Sequence, residues 1–297
     1  MPELPSVTIY CERLAAILTG HRLTAIDLEG PFFLRSVQPP VSDLVGREIQ
    51  GSFNIAKRVV LQLEQERFIV MHLMIAGRLR WRTGGRRTPA RITLAAFSFP
   101  HGTLFVTEAG TTRRAALHLV RGREALEQFD RGGIDVLSAT DADFAAALTR
   151  ENHTLKRCLT DQRLFSGIGN AYCDEILHHA RLSPVKLSQK MTSDEIERLR
   201  ASSQLVLTTW IQRHREAAGD GFPEKVTAFE EQMTAHGKYG QPCPTCGTSI
   251  QRIRYAKNET NYCPRCQTGG KVLADRSLSR LLKKDWPRRV EELEDGR

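Results

Sequence analysis

Apolar residues near the start of the chain recur with a helical period. Val7, Ile9, Tyr10, Leu14, Ile17 and Leu18 share one stripe and Gly20 ends it, which predicts an amphipathic helix over residues 7–18. From about residue 22 to 120 the pattern becomes that of strands. Residues 58–63, 68–73, 92–94 and 104–106 are short runs rich in β-formers, separated by Gly, Pro and charged clusters, and they predict a β-sandwich or barrel. Residues 77–91 interrupt this: they carry six arginines and no acid, and Thr83-Gly84-Gly85 marks a loop. Those arginines either contact phosphates or ride on a mobile loop. Residues 122–141, charged and Gly-containing, read as a linker. Helical periods follow over 142–149, 153–160, 170–180, 193–217 and 224–234. A β-hairpin is expected next: residues 249–255 alternate, Lys257-Asn258-Glu259 turns, and 260–262 return. Residues 277–284 can form a short basic helix, and 291–297 read as a frayed end. The fold class is α+β, an N-terminal β-sandwich flanked by helices followed by a helical domain and a hairpin. The boundaries expected are 1–130, 131–240, 241–268 for the hairpin and 269–297 for a basic tail.

Length and composition narrow the function. The 297 residues favour two domains, and 40% hydrophobic with 26% charged residues permits packed cores. A formal net charge of +9 points to a polyanionic partner, with nucleic acid ahead of an acidic membrane. No apolar run of roughly eighteen residues predicts a membrane span, and the opening Pro-Glu-Leu-Pro does not read as a signal peptide. The default is therefore a cytoplasmic, nucleoid-associated monomer.

Cysteine spacing carries the sharpest chemistry. Cys243, Cys246, Cys263 and Cys266 form two C-x2-C pairs separated by sixteen residues, the spacing of a closed tetrahedral Zn²⁺ site. The alternatives are two disulfides or four scattered core cysteines. Cys11, Cys158 and Cys173 sit in helical patterns and are expected to be reduced and packed.

Three further segments align with this hairpin: Pro2-Glu3-Leu4-Pro5, Lys57 before the strand 58–63, and Leu159-Thr160-Asp161-Gln162-Arg163 followed by Gly167-Ile168-Gly169-Asn170-Ala171-Tyr172 and Glu175-Ile176-Leu177. In order and spacing the set resembles the formamidopyrimidine-DNA glycosylase / endonuclease VIII family, over residues 2–266. The resemblance implies a helix-two-turns-helix DNA-binding domain, one structural Zn²⁺, damaged DNA as partner, and a bifunctional glycosylase / AP lyase. Pro2, freed of Met1, would be a secondary-amine nucleophile. A terminal amine, with an ordinary pKa near ~8, is partly neutral at pH 7. Glu3 would move protons, and Lys57 would both hold a phosphate and serve catalysis by giving protons. Asn170 would donate to phosphate at a helix N-terminus, or act as a plain N-cap. Lys156 and Arg254 would also face the DNA backbone.

The chain departs from that family at several places. Ser6 stands where an acid commonly follows Pro5. In the segment that fills the gap left by the extruded nucleotide, Ile75 takes the usual Met position, with Met74 one residue early. Arg113 is kept, but Ala115 replaces an aromatic, and Asn258 aligns with the hairpin-tip Arg. These changes imply a divergent member with its own lesion preference. They leave open a protein that binds damaged or abasic DNA without excision, or a glycosylase for crosslinked or bulky lesions. A zinc-ribbon protein adaptor would explain neither the charge nor the N-terminal motif.

Overall fold

The computed structural model describes the chain apart from residues 31, 86, 87, 111, 225, 227–229, 256, 257, 276, 277, 296 and 297. Two compact units emerge: Met1–Arg131 with Thr209–Ala228, and Gly132–Thr208 with Phe229–Arg297.

In the first unit, helix α1 (Leu4–Leu18) tolerates Pro5 because it sits in the first turn, where a backbone N–H has no helical partner to lose. Eight strands follow: β1 (Ala25–Leu28), β2 (Ile49–Ile55), β3 (Arg58–Leu63), β4 (Arg67–His72), β5 (Gly77–Arg82), β6 (Thr93–Phe99), β7 (Gly102–Glu108) and β8 (Ala116–Arg121). They pair antiparallel into two sheets, ordered β1-β6-β7-β5 and β2-β3-β4-β8. Side chains alternate across each strand, so one face of each sheet enters a shared core. Leu61, Ile69 and Met71 come from one sheet, Leu79, Phe97, Leu104 and Val106 from the other, and Val7, Tyr10 and Leu14 from α1. β3 and β4 are apolar on both faces because Val60, Phe68 and Val70 pack on Leu126 and Phe129. Leu126 lies in α2 (Arg123–Glu127), so the first residues of the expected linker form a helical turn that buries Leu126, and the division falls at Arg131. The expected loop 77–91 is likewise strand at its start. Leu79 and Trp81 pair with Val106 and Leu104, while the intervening arginines point the other way.

The second unit holds α3 (Asp141–Thr149) and α4 (Leu155–Thr160), capped by the hydroxyls of Thr140 and Thr154, and α5 (Asn170–His179). The long helix α6 (Ser193–Ala218) starts here and gives its last turns to the first unit. No described residue of 224–234 is helical. Gly219, Gly221 and Pro223 end α6. Beyond them Val226 packs in the sandwich core while the N–H groups of Thr234, Ala235 and His236 bond Glu175, demands that one amphipathic stripe cannot meet. Strands β9 (Gln251–Tyr255) and β10 (Asn258–Tyr262) form the hairpin, with Asn258 opposite Tyr255. Asn258 is therefore in a strand rather than in the turn, which lies at 256–257, outside the described residues. Short helices α7 (Pro264–Thr268), α8 (Leu278–Leu282) and α9 (Val290–Asp295) complete the chain. Of the end expected to fray, residues 291–295 are helical in α9, and 296 and 297 lie outside the described residues. Val290, only 1% exposed, donates its N–H to the Gly270 carbonyl and Val272 donates to Arg288, which ties the tail back onto the unit.

Candidate active site and metal centre

In the first unit the chain terminus is buried rather than frayed. Pro2 and Glu3 are both buried, and the Glu3 carbonyl accepts the Val7 N–H at 3.0 Å, fixing the backbone at the start of α1. Lys57, 8% exposed, lies in the two-residue turn between β2 and β3, where Ala56 takes a left-handed conformation at φ 50°. A lysine this buried is uncommon unless its charge is used. Burial lowers the pKa of the terminal amine below its ordinary 8.0. Glu3 opposes that shift, and Arg78 and Lys57 reinforce it. One amine, one carboxylate and two cations thus act on each other electrostatically. His72, paired with Arg58 across β3 and β4, feels the same field: burial, then Arg58 and Lys57, push it down to about 4, so it is neutral at pH 7.

Beside this cluster two loops form an edge of the sandwich. Residues 74–76 turn sharply, with Met74 at φ 53° and the Gly77 N–H bonded to the Leu73 carbonyl at 2.9 Å. A Cβ on Gly77 would lie 2.2 Å from that carbonyl oxygen, so only glycine fits. Arg78 donates to the Ile75 carbonyl at 3.1 Å, and the turn holds Ile75 62% exposed. The second loop, 109–115, is closed by Glu108. Its buried carboxylate accepts the N–H groups of Arg114 and Ala115 at 3.0–3.1 Å. Arg113 stays exposed and donates to the Arg91 carbonyl, whereas Ala115 is buried.

In the second unit α4 and α5 are joined by a glycine-rich turn. Gln162 braces it, accepting from the Gly167 N–H and donating to the Ile168 carbonyl. The residue at the N-cap of α5 is Gly169, not Asn170. Asn170 instead sends its Nδ2 to the Glu259 carbonyl on β10 at 2.8 Å. Lys156, expected to face a phosphate, bonds the Asn170 carbonyl at 2.8 Å and Asp174 at 2.6 Å, so it positions the turn. On the hairpin Arg254 is 58% exposed and pairs with Glu259 at 3.0 Å, while Arg252 lies over the Tyr239 ring at 4.0 Å.

The four cysteines of the C-x2-C pairs converge as their spacing requires. Their sulfur atoms all lie within 4.8 Å of one another, with Cys246 to Cys263 at 3.4 Å and Cys243 to Cys266 at 4.0 Å. Four ligands at ~2.3 Å from a tetrahedral Zn²⁺ would lie ~3.8 Å apart, so the residues fit the ion. No disulfide joins any two of the four. Burial pushes Cys266 up to about 11 and raises Cys263 further. For Cys246 hydrogen bonds with Thr248 and the neighbouring thiols outweigh burial and bring it down to about 7. Four such thiolates need a cation to coexist. Structural Zn²⁺ is the cofactor of this hairpin.

Of the residues that organise the second unit, Asn170 and Glu175 belong to the motif read from the sequence, whereas Asp174 and His178 are not singled out there. Along α5, Asn170, Asp174 and His178 recur every fourth position and all reach the zinc hairpin. Asp174 accepts the Asn261 N–H at 3.2 Å and pairs with His236 at 2.8 Å, and His178 Nε2 lies 3.2 Å from Cys243 Sγ. Beside them Glu175 binds the loop 234–236 through four hydrogen bonds of 2.8–2.9 Å. Their signal was the helical spacing of polar groups in an otherwise apolar segment.

Comparison with known proteins gives three family matches. They are the formamidopyrimidine-DNA glycosylase N-terminal domain over residues 1–116, the formamidopyrimidine-DNA glycosylase H2TH domain over 135–220, and a zinc finger found in FPG and IleRS over 240–269. The formamidopyrimidine-DNA glycosylase of Heliobacterium modesticaldum is 32% identical over 285 residues, covering 90% of this chain and 100% of that protein. An uncharacterized formamidopyrimidine-DNA glycosylase-like protein of Mycobacterium tuberculosis is 38% identical over 151 residues, 51% of this chain and 94% of its own length. The Lactococcus lactis Fpg in complex with DNA containing an abasic site has the same fold, with a TM-score of 0.79 at 23% identity over 90% of this chain and 99% of that one. MutM in complex with DNA containing carbocyclic 8-oxo-G gives 0.78 at 24% identity, covering 90% and 100%. Among the described residues no helix is long and apolar enough to cross a membrane.

Proposed function

The chain belongs to the formamidopyrimidine-DNA glycosylase / endonuclease VIII family, and from that footing we propose that it is a bifunctional DNA glycosylase and AP lyase. Its substrate would be a base flipped out of damaged DNA. The observation that carries this is the buried pair Pro2 and Glu3 at the start of α1, next to a Met1 amine that burial, Arg78 and Lys57 hold below its ordinary value. Once Met1 is removed, the Pro2 nitrogen becomes the terminal amine in these surroundings. The same influences would leave more of it neutral and nucleophilic at pH 7. Its lone pair attacks the sugar C1′, and the C1′–N bond electrons leave with the base, which takes a proton. Glu3 moves protons in this step and in the next. The attached nitrogen loses its proton, its lone pair then breaks the C1′–O4′ bond as O4′ takes a proton, and the ring-opened cationic imine so formed acidifies the hydrogens on C2′. Loss of one expels the 3′ phosphate oxygen and cuts the strand, and water then releases the sugar.

Lys57 would bind a phosphate next to the lesion. Asn170, Lys156, Arg254 and Asn258 would position the backbone through the turn and the hairpin, which zinc holds together. Ile75 and Arg113 would occupy the duplex beside the extruded nucleotide.

Borohydride reduction on abasic duplex DNA tests the proposal. A covalent adduct is expected at the terminal residue, and retention of Met1 or an upstream tag should abolish it. Equal trapping by the blocked protein would remove Pro2 as the amine and leave Lys57 as the candidate. Glu3→Gln should keep DNA binding and slow base release. Tight binding to abasic DNA with no adduct would favour a damage-binding protein without excision, the reading that Ser6 and Ala115 support.

A further inference from the structure

The edge of the sandwich that bears Ile75 and Arg113 carries one more side chain that the proposed function has not used. Phe32 is 81% exposed. A single exposed aromatic is ordinary on a protein surface, but the backbone that flanks Phe32 is paired at Glu29 and at Phe33 to Arg35. The Glu29 N–H bonds the Leu94 carbonyl at 2.9 Å. On the other side Leu117 donates to the Phe33 carbonyl at 2.9 Å and Arg35 donates to Leu117 at 2.8 Å. Phe33 is only 5% exposed and packs in the core, so its neighbour cannot be withdrawn inward with it. An apolar ring at that exposure has surface to bury against a partner.

Its surroundings say which partner. Phe32 lines a cavity of about 230 Å³ together with Arg113, Ala115, Arg35 and Leu94. The loop bearing Arg113 and Ala115 in turn meets the turn bearing Ile75: a Cβ on Gly110 would lie 3.4 Å from that of Ala76. One edge therefore presents an exposed isoleucine, an exposed arginine and an exposed phenylalanine, with a small buried alanine between the last two. Apolar side chains flanked by guanidinium groups are what proteins insert between base steps, and aromatic rings are what they stack on unpaired bases. A base flipped from a duplex leaves such a gap and an orphaned partner base.

We infer that Phe32 is the aromatic that stacks against the DNA bases next to the extruded nucleotide, doing from the loop after β1 what Ala115 cannot. This rests on the function proposed above. It makes Phe32 a positioning and specificity-determining residue rather than a catalytic one.

Binding of the full-length, zinc-loaded protein to two duplexes tests it, one intact and one carrying a tetrahydrofuran abasic analogue opposite 2-aminopurine. Phe32→Ala should weaken binding to the abasic duplex about tenfold and leave the intact duplex unaffected. Val37→Ala, at a site 88% exposed, should change neither. Phe32→Trp should retain selectivity, and its added tryptophan emission should be quenched when the abasic duplex saturates it. If Phe32→Ala lowers both affinities equally or neither, or if the Phe32→Trp emission is indifferent to DNA, the inference fails. A wild-type preference for abasic DNA that survives Phe32→Ala removes this inference alone. A wild type with no such preference and no borohydride adduct removes the proposed function and this inference with it.

Discussion

Glu175 offers the sharpest test of how the second unit is held together. Its carboxylate is 4% exposed and accepts the N–H groups of Thr234, Ala235 and His236 and the Thr234 hydroxyl, all at 2.8–2.9 Å. Glu175→Ala would remove the acceptor from three backbone donors at once, and Ala235 is fully buried, so water cannot replace it there without opening the loop. At ~1–1.5 kcal/mol for each orphaned donor the loss is ~3–5 kcal/mol, a large part of the ~5–15 kcal/mol that stabilises an ordinary domain. The unfolding midpoint should fall by ~10 °C, taking ~2–4 °C per kcal/mol for a domain of this size. Glu175→Gln keeps one acceptor oxygen but turns an amide donor toward N–H groups, so its loss should be about half as large. The same loop leads into the hairpin, where the Gly237 N–H bonds Asn261 at 2.8 Å. Chelator should therefore extract zinc faster from Glu175→Ala than from wild type. The assay is thermal unfolding followed by circular dichroism, with a colorimetric zinc-release trace beside it. A Glu175→Ala midpoint within ~2 °C of wild type would show that these hydrogen bonds merely break even with water, and the reasoning would fall.

Elemental analysis should find one zinc per chain, lost on replacing any of Cys243, Cys246, Cys263 or Cys266 by serine. A zinc-free protein whose hairpin amides stay protected from exchange would refute the assignment. His72 predicts a pH window: its folded value, about 4, lies below the unfolded 6.5, so stability that is full above pH 6.5 drains away as pH falls toward 4. Asp43, held down to about 2 by Arg67 and Arg47, acts only below the ordinary carboxylate range. His72→Gln should therefore flatten the upper slope of midpoint against pH and leave the lower one alone; two unchanged slopes would count against it. Lys57→Ala should reduce the log–log salt dependence of duplex binding by about one unit, and an unchanged slope would mean that Lys57 meets no phosphate.

Which parts were legible in the sequence follows from the forces involved. The thiols announced themselves because tetrahedral coordination fixes their spacing. β3 and β4 did so because strands buried on both faces must be continuously apolar. β2 escaped, since its seven residues include Gly51 and Asn54 and only Ile49 is fully buried. β5 was masked by charge: Leu79 and Trp81 alternate correctly, but the arginines between them read as a loop. Asp174 and Glu175 were opaque for the opposite reason. A helix bearing two adjacent acids looks like a solvated face, and only tertiary contacts with His236, Asn261 and the loop 234–236 reveal that both are interior. The terminal helix α9, rich in glutamate, was hidden likewise until Val290 found its seat.

The three-residue stripe on α5 bears on how this molecule can be recombined. Residues 240–269 match a zinc-finger family of their own and invite treatment as a cassette. A chimera cut at those positions would carry the thiols across and leave behind Asn170, Asp174 and His178, the side chains that grip Glu259, Asn261 and Cys243. The natural seam runs through a helix some seventy residues upstream, so an exchanged hairpin keeps its fold and its aim only if those three positions travel with it.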